Sequence, residues 1–272
     1  MQAPIMLTLE TGSLAARIAG GKNPLERSDL PRYAIEELGL RGLSVATSIL
    51  AGCGPRELDR LRDAADRAHC PCLTMFESAP LTVDEASGTF SEAAADRLQR
   101  LAAAASRLGC SSLAVSVAAD AKSDPDRIAS AMRQGVQAIE RHELNLLLTP
   151  SPKGPLADSE GVIDLIRRVG GFRIGCMPTF GHAASSDDGE ATLRRLAPYA
   201  SAMVADLDPL TASKGGAFDD RLAGWVRAIR TVGFASTLAL SSSAKDAAAR
   251  IVRAREHLEP VIVANPAEDP EA

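Results

Sequence analysis

The sequence predicts a single (β/α)₈ barrel, and three observations lead to that fold class. The chain has 272 residues, close to the roughly 250 residues of one such barrel. Eight short apolar runs alternate with segments of helical period. The apolar runs are mostly continuous, as in parallel strands covered on both faces. An open doubly wound sheet is the alternative, but no G-x-G-x-x-G sequence opens any helix.

The predicted strands are the eight apolar runs. They span 5–10, 40–46, 71–77, 111–117, 144–149, 172–177, 201–206 and 236–241. Composition does not change along the chain, so we expect one barrel domain over 1–263. The last residues, 264–272, read ANPAEDPEA and are predicted to be a disordered tail because they have almost no apolar side chains.

The predicted helices lie between the strands and follow start and stop signals. They span 25–39, 55–69, 90–109, 124–143, 158–170, 189–200, 218–233 and 244–259. Pro55 stands at a first-turn position, and Ser91 and Asp124 are N-cap residues. Gly39 and Gly109 follow the last helical turns, where glycine commonly ends a helix.

Composition excludes several functional classes. A net charge of -5 and an aromatic content of 3% argue against nucleic-acid or anionic-membrane binding. The N-terminal segment has neither a basic region nor a long apolar run, so we expect no signal peptide and no transmembrane helix. Five cysteines without disulfide-like spacing fit a reducing cytoplasm. The Cys70-Pro71-Cys72 pair is interpreted as buried small apolar residues rather than a metal site. The oligomeric state is left open, and the sequence is compatible with a homo-oligomer or a hetero-oligomer.

Residues that follow the strands are the candidates for chemistry, since barrel sites lie at the C-terminal strand ends. These positions are Glu10, Thr11, Thr47, Ser48, Glu77, Ser78, Ser116, Asp120, Thr149, Cys176, Thr179, His182, Asp206, Asp208, Ser241, Ser242 and Ser243.

The catalytic candidates among them are His182, Glu77 and Asp206. His182 is either a general base or a loop residue that caps the helix after it. Glu77 is either functional or paired with a charge at the barrel mouth. Asp206 and Asp208 alternate at a strand end, so they share a face and would influence each other's protonation.

Ser241 and Ser242 precede the last helix, and Lys245 is expected in its first turn. Hydroxyls and free amides at a helix N-terminus suit an anion such as phosphate. Simple N-capping by serine is the alternative.

Seven segments carry a resemblance to a known family. They are RYAIEELGLRGLSVATSILAG, DRLRDAADRAHCPCLTMFES, LNLLLTPSPKG, FRIGCMPTFGHAA, LAPYASAMVADLD, FDDRLAGWVRAIRTVGF and STLALSSSA. In order and spacing they resemble the sugar phosphate isomerase/epimerase family of xylose isomerase-like and endonuclease IV-like barrels. The resemblance covers nearly the whole chain.

The resemblance implies a divalent metal at the barrel mouth, held by Glu, Asp, His and Glu, that polarises a sugar carbonyl or hydroxyl. Carried over onto this sequence, the first two ligands fall on Thr149 and Thr179. The His falls on Val204 or Ala205, and the second Glu on Ser241. All four positions lack a metal-binding side chain, so we expect no metal cofactor. A relocated site built from Glu77, Asp206, Asp208 and His182 is the less favoured alternative.

Two functional hypotheses follow from the resemblance. The first is an isomerase or epimerase that binds a small sugar, polyol or sugar phosphate without metal. Its acid and base residues would be His182, Glu77 and Asp206, and its binding residues would be Thr149, Thr179, Asp208, Ser241, Ser242 and Lys245. The second is a catalytically inactive barrel that serves as a binding module or as a partner of an active relative.

Overall fold

The structure is a computed structural model that describes residues 5–20, 24–84, 86–212 and 218–263. The predicted tail at 264–272 lies outside these residues. The strands are β1 Met6–Glu10, β2 Leu43–Ala46, β3 Cys72–Asp84, β4 Thr89–Phe90, β5 Ser112–Ala118, β6 Asn145–Leu148, β7 Ile174–Cys176, β8 Ala202–Asp206 and β9 Thr237–Ser241. Each of the eight predicted strands is present, and β4 is additional.

The helices alternate with the strands. They are α1 Ala15–Ile18, α2 Leu30–Glu36, α3 Pro55–Ala68, α4 Glu92–Leu108, α5 Pro125–Ile139, α6 Ser159–Val169, α7 Phe180–Ala184, α8 Gly189–Leu196, α9 Leu207–Ala212, α10 Phe218–Thr231 and α11 Ala247–Val263. No helix in these described ranges is both long and apolar enough to span a bilayer.

Eight of the strands are parallel and confirm the predicted barrel. Their order around the sheet is β7, β6, β5, β3, β2, β1, β9, β8. The first and last of these meet through two isolated parallel bridges, which pair Cys176 with Ala200 and Thr179 with Val204. The curled sheet therefore closes between β7 and β8, and all C-terminal strand ends face one mouth.

Local sequence signals position the long helices as expected. The Ser91 hydroxyl accepts a hydrogen bond from the Ala94 amide at 3.3 Å, and the Asp124 carboxylate accepts one from Asp126 at 2.9 Å. Gly109 ends α4 with a φ of +80°, a left-handed conformation that glycine adopts without steric cost. These contacts satisfy backbone groups that helix ends leave unpaired.

The structure differs from the prediction mainly near the mouth. Three short helices, α1, α7 and α9, lie in loops that follow strands, and they are too short to give a periodic signal. β3 continues beyond the predicted end at residue 77, because its extension pairs antiparallel with β4. The last helix begins at Ala247 rather than 244 and continues through Pro260.

The core has two parts. A large cluster of apolar side chains fills the space between the sheet and its helices. A smaller cluster lies inside the barrel and consists of Ala114, Leu147, Met177, Ala202, Val204 and Ala239, packed against Phe76. Along each strand, side chains point alternately into and out of the barrel. The last inward-pointing side chain before the C-terminal end of a strand therefore faces the mouth.

Candidate functional site

A cavity of about 600 Å³ opens at the C-terminal mouth of the barrel. Its walls come from the ends of most strands. They are formed by Glu10, Phe76, Glu77, Ser78, Pro80, Ser116, Val117, Ala118, Ala119, Thr149, Pro150, Ser151, Pro152, Lys153, Met177, Thr179, Val204, Asp206 and Ser241. Three carboxylates and several hydroxyls thus share one cavity with apolar walls, a common composition for a small-molecule site.

Five of the residues predicted for the site line this cavity. They are Glu77, Asp206, Thr149, Thr179 and Ser241. His182, Asp208, Ser242 and Lys245 do not belong to its lining. The predicted set is therefore divided between the cavity and the loops around it.

Glu10 ends β1 and is the most strongly hydrogen-bonded carboxylate of the cavity. It accepts from the amides of Gly12 at 2.5 Å and Ser13 at 3.1 Å, and from the Ser13 and Ser241 hydroxyls at 3.1 and 3.0 Å. Burial raises the pKa of Glu10, and these hydrogen bonds oppose that shift. With its oxygens occupied, Glu10 is suited to hold Ser241 in place rather than to exchange protons.

Glu77 is only 7% exposed and forms an ion pair with Arg97 of α4, with 2.7 Å between Oε2 and Nη2. Its other oxygen accepts a hydrogen bond from the Ala79 amide at 2.8 Å. A buried carboxylate needs such partners to remain charged. Glu77 therefore presents a compensated charge to the cavity, and Arg97 is a residue that the sequence did not indicate.

Asp206 ends β8 and lies in the cavity with fewer partners. Its Oδ2 accepts from the Gly181 amide at 2.8 Å, at the start of α7. Burial raises the pKa of Asp206, and hydrogen bonds from Gly181 and Thr179 oppose the shift. A carboxyl group whose pKa is raised holds and releases a proton closer to neutral pH than a solvated one. Asp206 is thus the cavity's best-suited acid–base group.

His182 lies in α7 and does not line the cavity. Its amide donates to the Thr179 hydroxyl at 3.0 Å, so Thr179 caps α7 as a threonine does at a helix start. Burial lowers the pKa of His182, while the carboxylate of Asp158 opposes that shift. The Nε2 atom is buried and has no hydrogen-bond partner among the described residues. The lowered pKa favours the neutral form of the His182 imidazole, and its catalytic role stays a prediction.

The turn before α11, which contains Ser242 and Ser243, already binds a carboxylate of the protein itself. The Asp208 carboxylate accepts from the Ser242 hydroxyl at 2.7 Å and from the Ser243 amide and hydroxyl at 2.6 and 2.7 Å. Arg250 approaches the same carboxylate at 3.5 Å. Lys245 is exposed and precedes α11 instead of lying in its first turn. A ligand anion at this turn would have to compete with Asp208.

Three charged groups near the cavity were not assigned a role from the sequence. Glu10 was among the strand-end positions, and the pairing of β1 with β9, which ends at Ser241, was the available signal. Lys153 follows β6 in a loop whose fold the sequence does not indicate. Arg97 lies on a helix, where only the tertiary contact with Glu77 marks it as part of the site.

The residues at the mouth are a poor donor set for a divalent metal. The positions at which the family resemblance leads us to expect metal ligands carry Thr149, Thr179, Val204 or Ala205, and Ser241. Of these, Thr149, Thr179, Val204 and Ser241 line the cavity. Neutral hydroxyls bind divalent ions weakly, and the carboxylates of Glu10 and Glu77 are already engaged with protein partners at both oxygens. Within the described residues, no group of three or more His, Cys, Asp and Glu side chains has the arrangement of a metal site.

A closed parallel barrel with a polar cavity at its mouth defines a class of small-molecule barrel proteins. Within that class, the sequence matches the family described as xylose isomerase-like TIM barrel over residues 33–259. The chain belongs to this family. No curated protein matches the sequence.

Solved structures share the fold at low sequence identity. An L-ribulose 3-epimerase is 14% identical with a TM-score of 0.72, over 96% of this chain and 94% of that one. A D-psicose 3-epimerase from Clostridium cellulolyticum H10, with D-tagatose, is 10% identical with a TM-score of 0.73, over 96% and 100%. A probable 3-DHS dehydratase from Bacillus anthracis is 13% identical with a TM-score of 0.70, over 93% and 98%.

Proposed function

We propose that the protein binds a small sugar or polyol in the mouth cavity and acts as an isomerase or epimerase without a divalent metal. The observation that carries this proposal is the position of Asp206, a partly buried carboxyl group in a cavity lined by hydroxyls. A sugar offers many hydroxyls, and Ser241, Thr149 and Thr179 are matching donors and acceptors. The cavity volume of about 600 Å³ is in the range of small-molecule sites.

Proton transfer at carbon is the chemistry that Asp206 is suited to perform. As carboxylate it removes the proton from the carbon beside a sugar carbonyl, and the C–H electron pair moves toward the carbonyl oxygen. Asp206 returns the proton to the neighbouring carbon while the hydroxyl proton on the first carbon passes to the former carbonyl oxygen, and this gives isomerisation. Epimerisation instead takes a proton from water on the other face of the intermediate, and Asp206 then releases the first proton to solvent. Burial favours the protonated form of Asp206 after the first step, which lowers the cost of that step.

The fold neighbours support a sugar as the ligand class. Two of the structures named above are sugar epimerases, and one of them holds D-tagatose. Hydroxyls and an aliphatic group at the usual metal positions support the metal-independent form of the reaction. Five cysteines, all free, support the expected location in the cytoplasm.

A catalytically inactive binding module is the second candidate, and one observation favours it. Glu10 and Glu77 are engaged with protein partners at both carboxylate oxygens. Only Asp206 would then be left among the three cavity acids to move a proton. Such a barrel would bind its ligand without turning it over, alone or beside an active relative.

Solvent deuterium incorporation tests the proposal. The chelator-treated protein is incubated in D₂O with L-ribulose, D-psicose and D-tagatose, and proton NMR follows loss of the C–H signal. We expect exchange in at least one sugar, reduced about a hundredfold or more in Asp206→Asn because a general base is lost. The exposed Asp187 provides the matched control, Asp187→Asn, which should exchange as the wild type does.

Each other result of this experiment contradicts part of the proposal. Exchange that requires added Mn²⁺ or Zn²⁺ would refute metal independence. Sugar binding without any exchange, with or without metal, would favour the binding module. Exchange that is unchanged in Asp206→Asn would remove Asp206 from the mechanism.

A further inference from the structure

We propose that a second cavity beside the mouth binds the acidic group, phosphate or carboxylate, of the ligand through Arg97 and Arg100. This inference rests on the proposed function, because it assigns the ligand class more narrowly, as an acidic sugar derivative. The acidic group would occupy the side cavity while the hydroxylated part reaches the mouth cavity.

The side cavity has a volume of about 510 Å³. It is lined by Thr47, Ser48, Leu50, Ala51, Cys53, Leu58, Met75, Glu77, Ser78, Arg97, Arg100, Leu101 and Ala104. Its walls thus come from α3, α4 and the loop after β2. Glu77 and Ser78, which lie within β3, also line the mouth cavity, so the two cavities share these two residues. A ligand that passes this part of β3 would contact both cavities.

Arg97 has unused hydrogen-bonding capacity inside this cavity. Its side chain is 33% exposed, and its Nη2 contacts the Glu77 Oε2 at 2.7 Å. A guanidinium carries five N–H donors in a planar fork, and among the described residues Glu77 is the partner that this fork contacts. The remaining donors suit the two or three oxygens of a carboxylate or phosphate group.

Arg100 adds a second positive charge on the same face of α4. It lies three residues after Arg97, a spacing that places two side chains next to each other on a helix. Arg100 is paired with Asp96, but both side chains are exposed, at 68% and 61%. Exposed pairs are screened by water and contribute little free energy. Arg100 is therefore able to turn toward an anion at small cost.

The surroundings of the two arginines favour a bound anion. Thr47 and Ser48 bring hydroxyls to the side cavity, and Leu58, Met75 and Leu101 form its apolar part. Charge-assisted hydrogen bonds are stronger where apolar side chains exclude water. The Glu77 carboxylate keeps its Ala79 partner if Arg97 shifts toward a ligand, so it is not left without a hydrogen bond.

Titration with inorganic phosphate, followed by ³¹P NMR line width, tests the proposal without any sugar. Arg97→Gln and Arg100→Gln remove one guanidinium each. The matched control is Arg107→Gln, because Arg107 lies on the same helix, outside the side cavity, and pairs with Asp59. We expect each cavity variant to weaken phosphate binding about tenfold, as for loss of one charged hydrogen-bond donor. Arg107→Gln should bind as the wild type does.

Acetate as competitor distinguishes the two sources of the acidic group. Displacement of phosphate by acetate assigns a general acidic-group site, and failure of acetate to compete assigns a phosphate-selective one; both outcomes support the inference. Wild-type affinity in Arg97→Gln and Arg100→Gln would overturn it, as would the absence of phosphate binding to the wild-type protein.

Two further measurements keep these outcomes interpretable. Arg100 is exposed, so Arg100→Gln should fold even if Arg97→Gln does not. The test is also separate from that of the proposed function, since Asp206→Asn should leave phosphate binding unchanged. Phosphate binding without hydrogen exchange in any sugar would contradict the proposed function. It would still support the side cavity as an anion-binding site.

Discussion

The Ser241 hydroxyl donates a hydrogen bond to the Glu10 carboxylate over 3.0 Å. This contact joins the ends of β1 and β9, the strands near the two ends of the chain, at the mouth of the barrel. Glu10 also caps the 3₁₀ turn at Thr11–Leu14. One carboxylate thus fixes the position of a cavity hydroxyl and the loop that follows the first strand.

Replacing this carboxylate should destabilise the barrel. Glu10→Gln replaces one of the two accepting oxygens by an NH₂ group. With the remaining oxygen bound to the Gly12 amide, the hydrogen bonds that Ser13 and Ser241 donate to Oε2 lose their acceptor. We expect the free energy of unfolding to fall by about 2 kcal/mol, the typical cost of unpaired buried donors. Urea unfolding followed by circular dichroism measures this change. Glu37→Gln, at an exposed position, is the control, and an equal effect there would contradict the assigned role of Glu10.

The architecture was predictable because each parallel strand is a continuous apolar run and each long helix carries its own caps. Ser91, Asp124 and Gly109 mark helix ends in the structure as they do in the sequence. The short helices α1, α7 and α9 were not predicted, since they have four to six residues and do not span two turns of the helical period that identifies a helix. These helices surround the mouth, so the loops near the site were the least predictable part.

The pH dependence of stability should have opposite signs for two neighbouring aspartates. Burial raises the pKa of Asp206, so its stabilising contribution is full below the ordinary value near 3.8 and is lost as pH rises through the raised pKa. Burial alone would raise the pKa of Asp208, but hydrogen bonds from Ser242 and Ser243 outweigh burial, and the pKa is lowered. Its contribution is present above 3.8 and is lost as pH falls through the lowered pKa.

Unfolding free energies of the wild type, Asp206→Asn and Asp208→Asn, measured from pH 3 to pH 8 in about one-unit steps, test this contrast. Relative to Asp206→Asn, the wild type should lose stability as pH rises. Relative to Asp208→Asn, it should gain stability as pH rises from the acidic end. Equal slopes for the two differences would contradict the assigned environments.

Cysteine reactivity should separate Cys53 from the other thiols. Burial raises the pKa of Cys70 to about 11 and those of Cys72 and Cys176 to about 12. Cys110 is also buried, whereas Cys53 is partly exposed. Since the thiolate is the reactive form, we expect native protein to react with a chromogenic disulfide at Cys53 alone. Cys53→Ser should abolish this reaction, and rapid modification of Cys70 or Cys72 would show that the pair is accessible.

A pair of glycine substitutions tests the loop before α6, which contains Lys153. A Cβ atom at Gly161 would lie 1.9 Å from the carbonyl oxygen of Pro155, whereas Gly224 in α10 has open space around it. Gly161→Ala should lower the unfolding free energy by about 2 kcal/mol through overpacking. Gly224→Ala should raise it by about 0.5–1 kcal/mol through helix propensity. Thermal unfolding measures both, and a stable Gly161→Ala variant would contradict the packing of this loop.

The candidate site was only partly predictable, for a physical reason. Strand ends are visible in the sequence, and five residues predicted there line one cavity: Glu77, Asp206, Thr149, Thr179 and Ser241. The partners of the predicted residues depend on loop conformation and long-range contacts. Asp208 contacts Ser242 and Ser243 across 34 and 35 residues, and no local pattern indicates that contact.

Calorimetric titration of D-psicose, D-tagatose and L-ribulose into chelator-treated protein shows whether the mouth cavity binds a sugar without a metal. The metal content of the same sample is measured by elemental analysis. We expect binding of at least one sugar by metal-free protein, unchanged on addition of Mn²⁺ and weakened about tenfold in Ser241→Ala. Binding that appears only when a stoichiometric divalent metal is present would contradict this expectation.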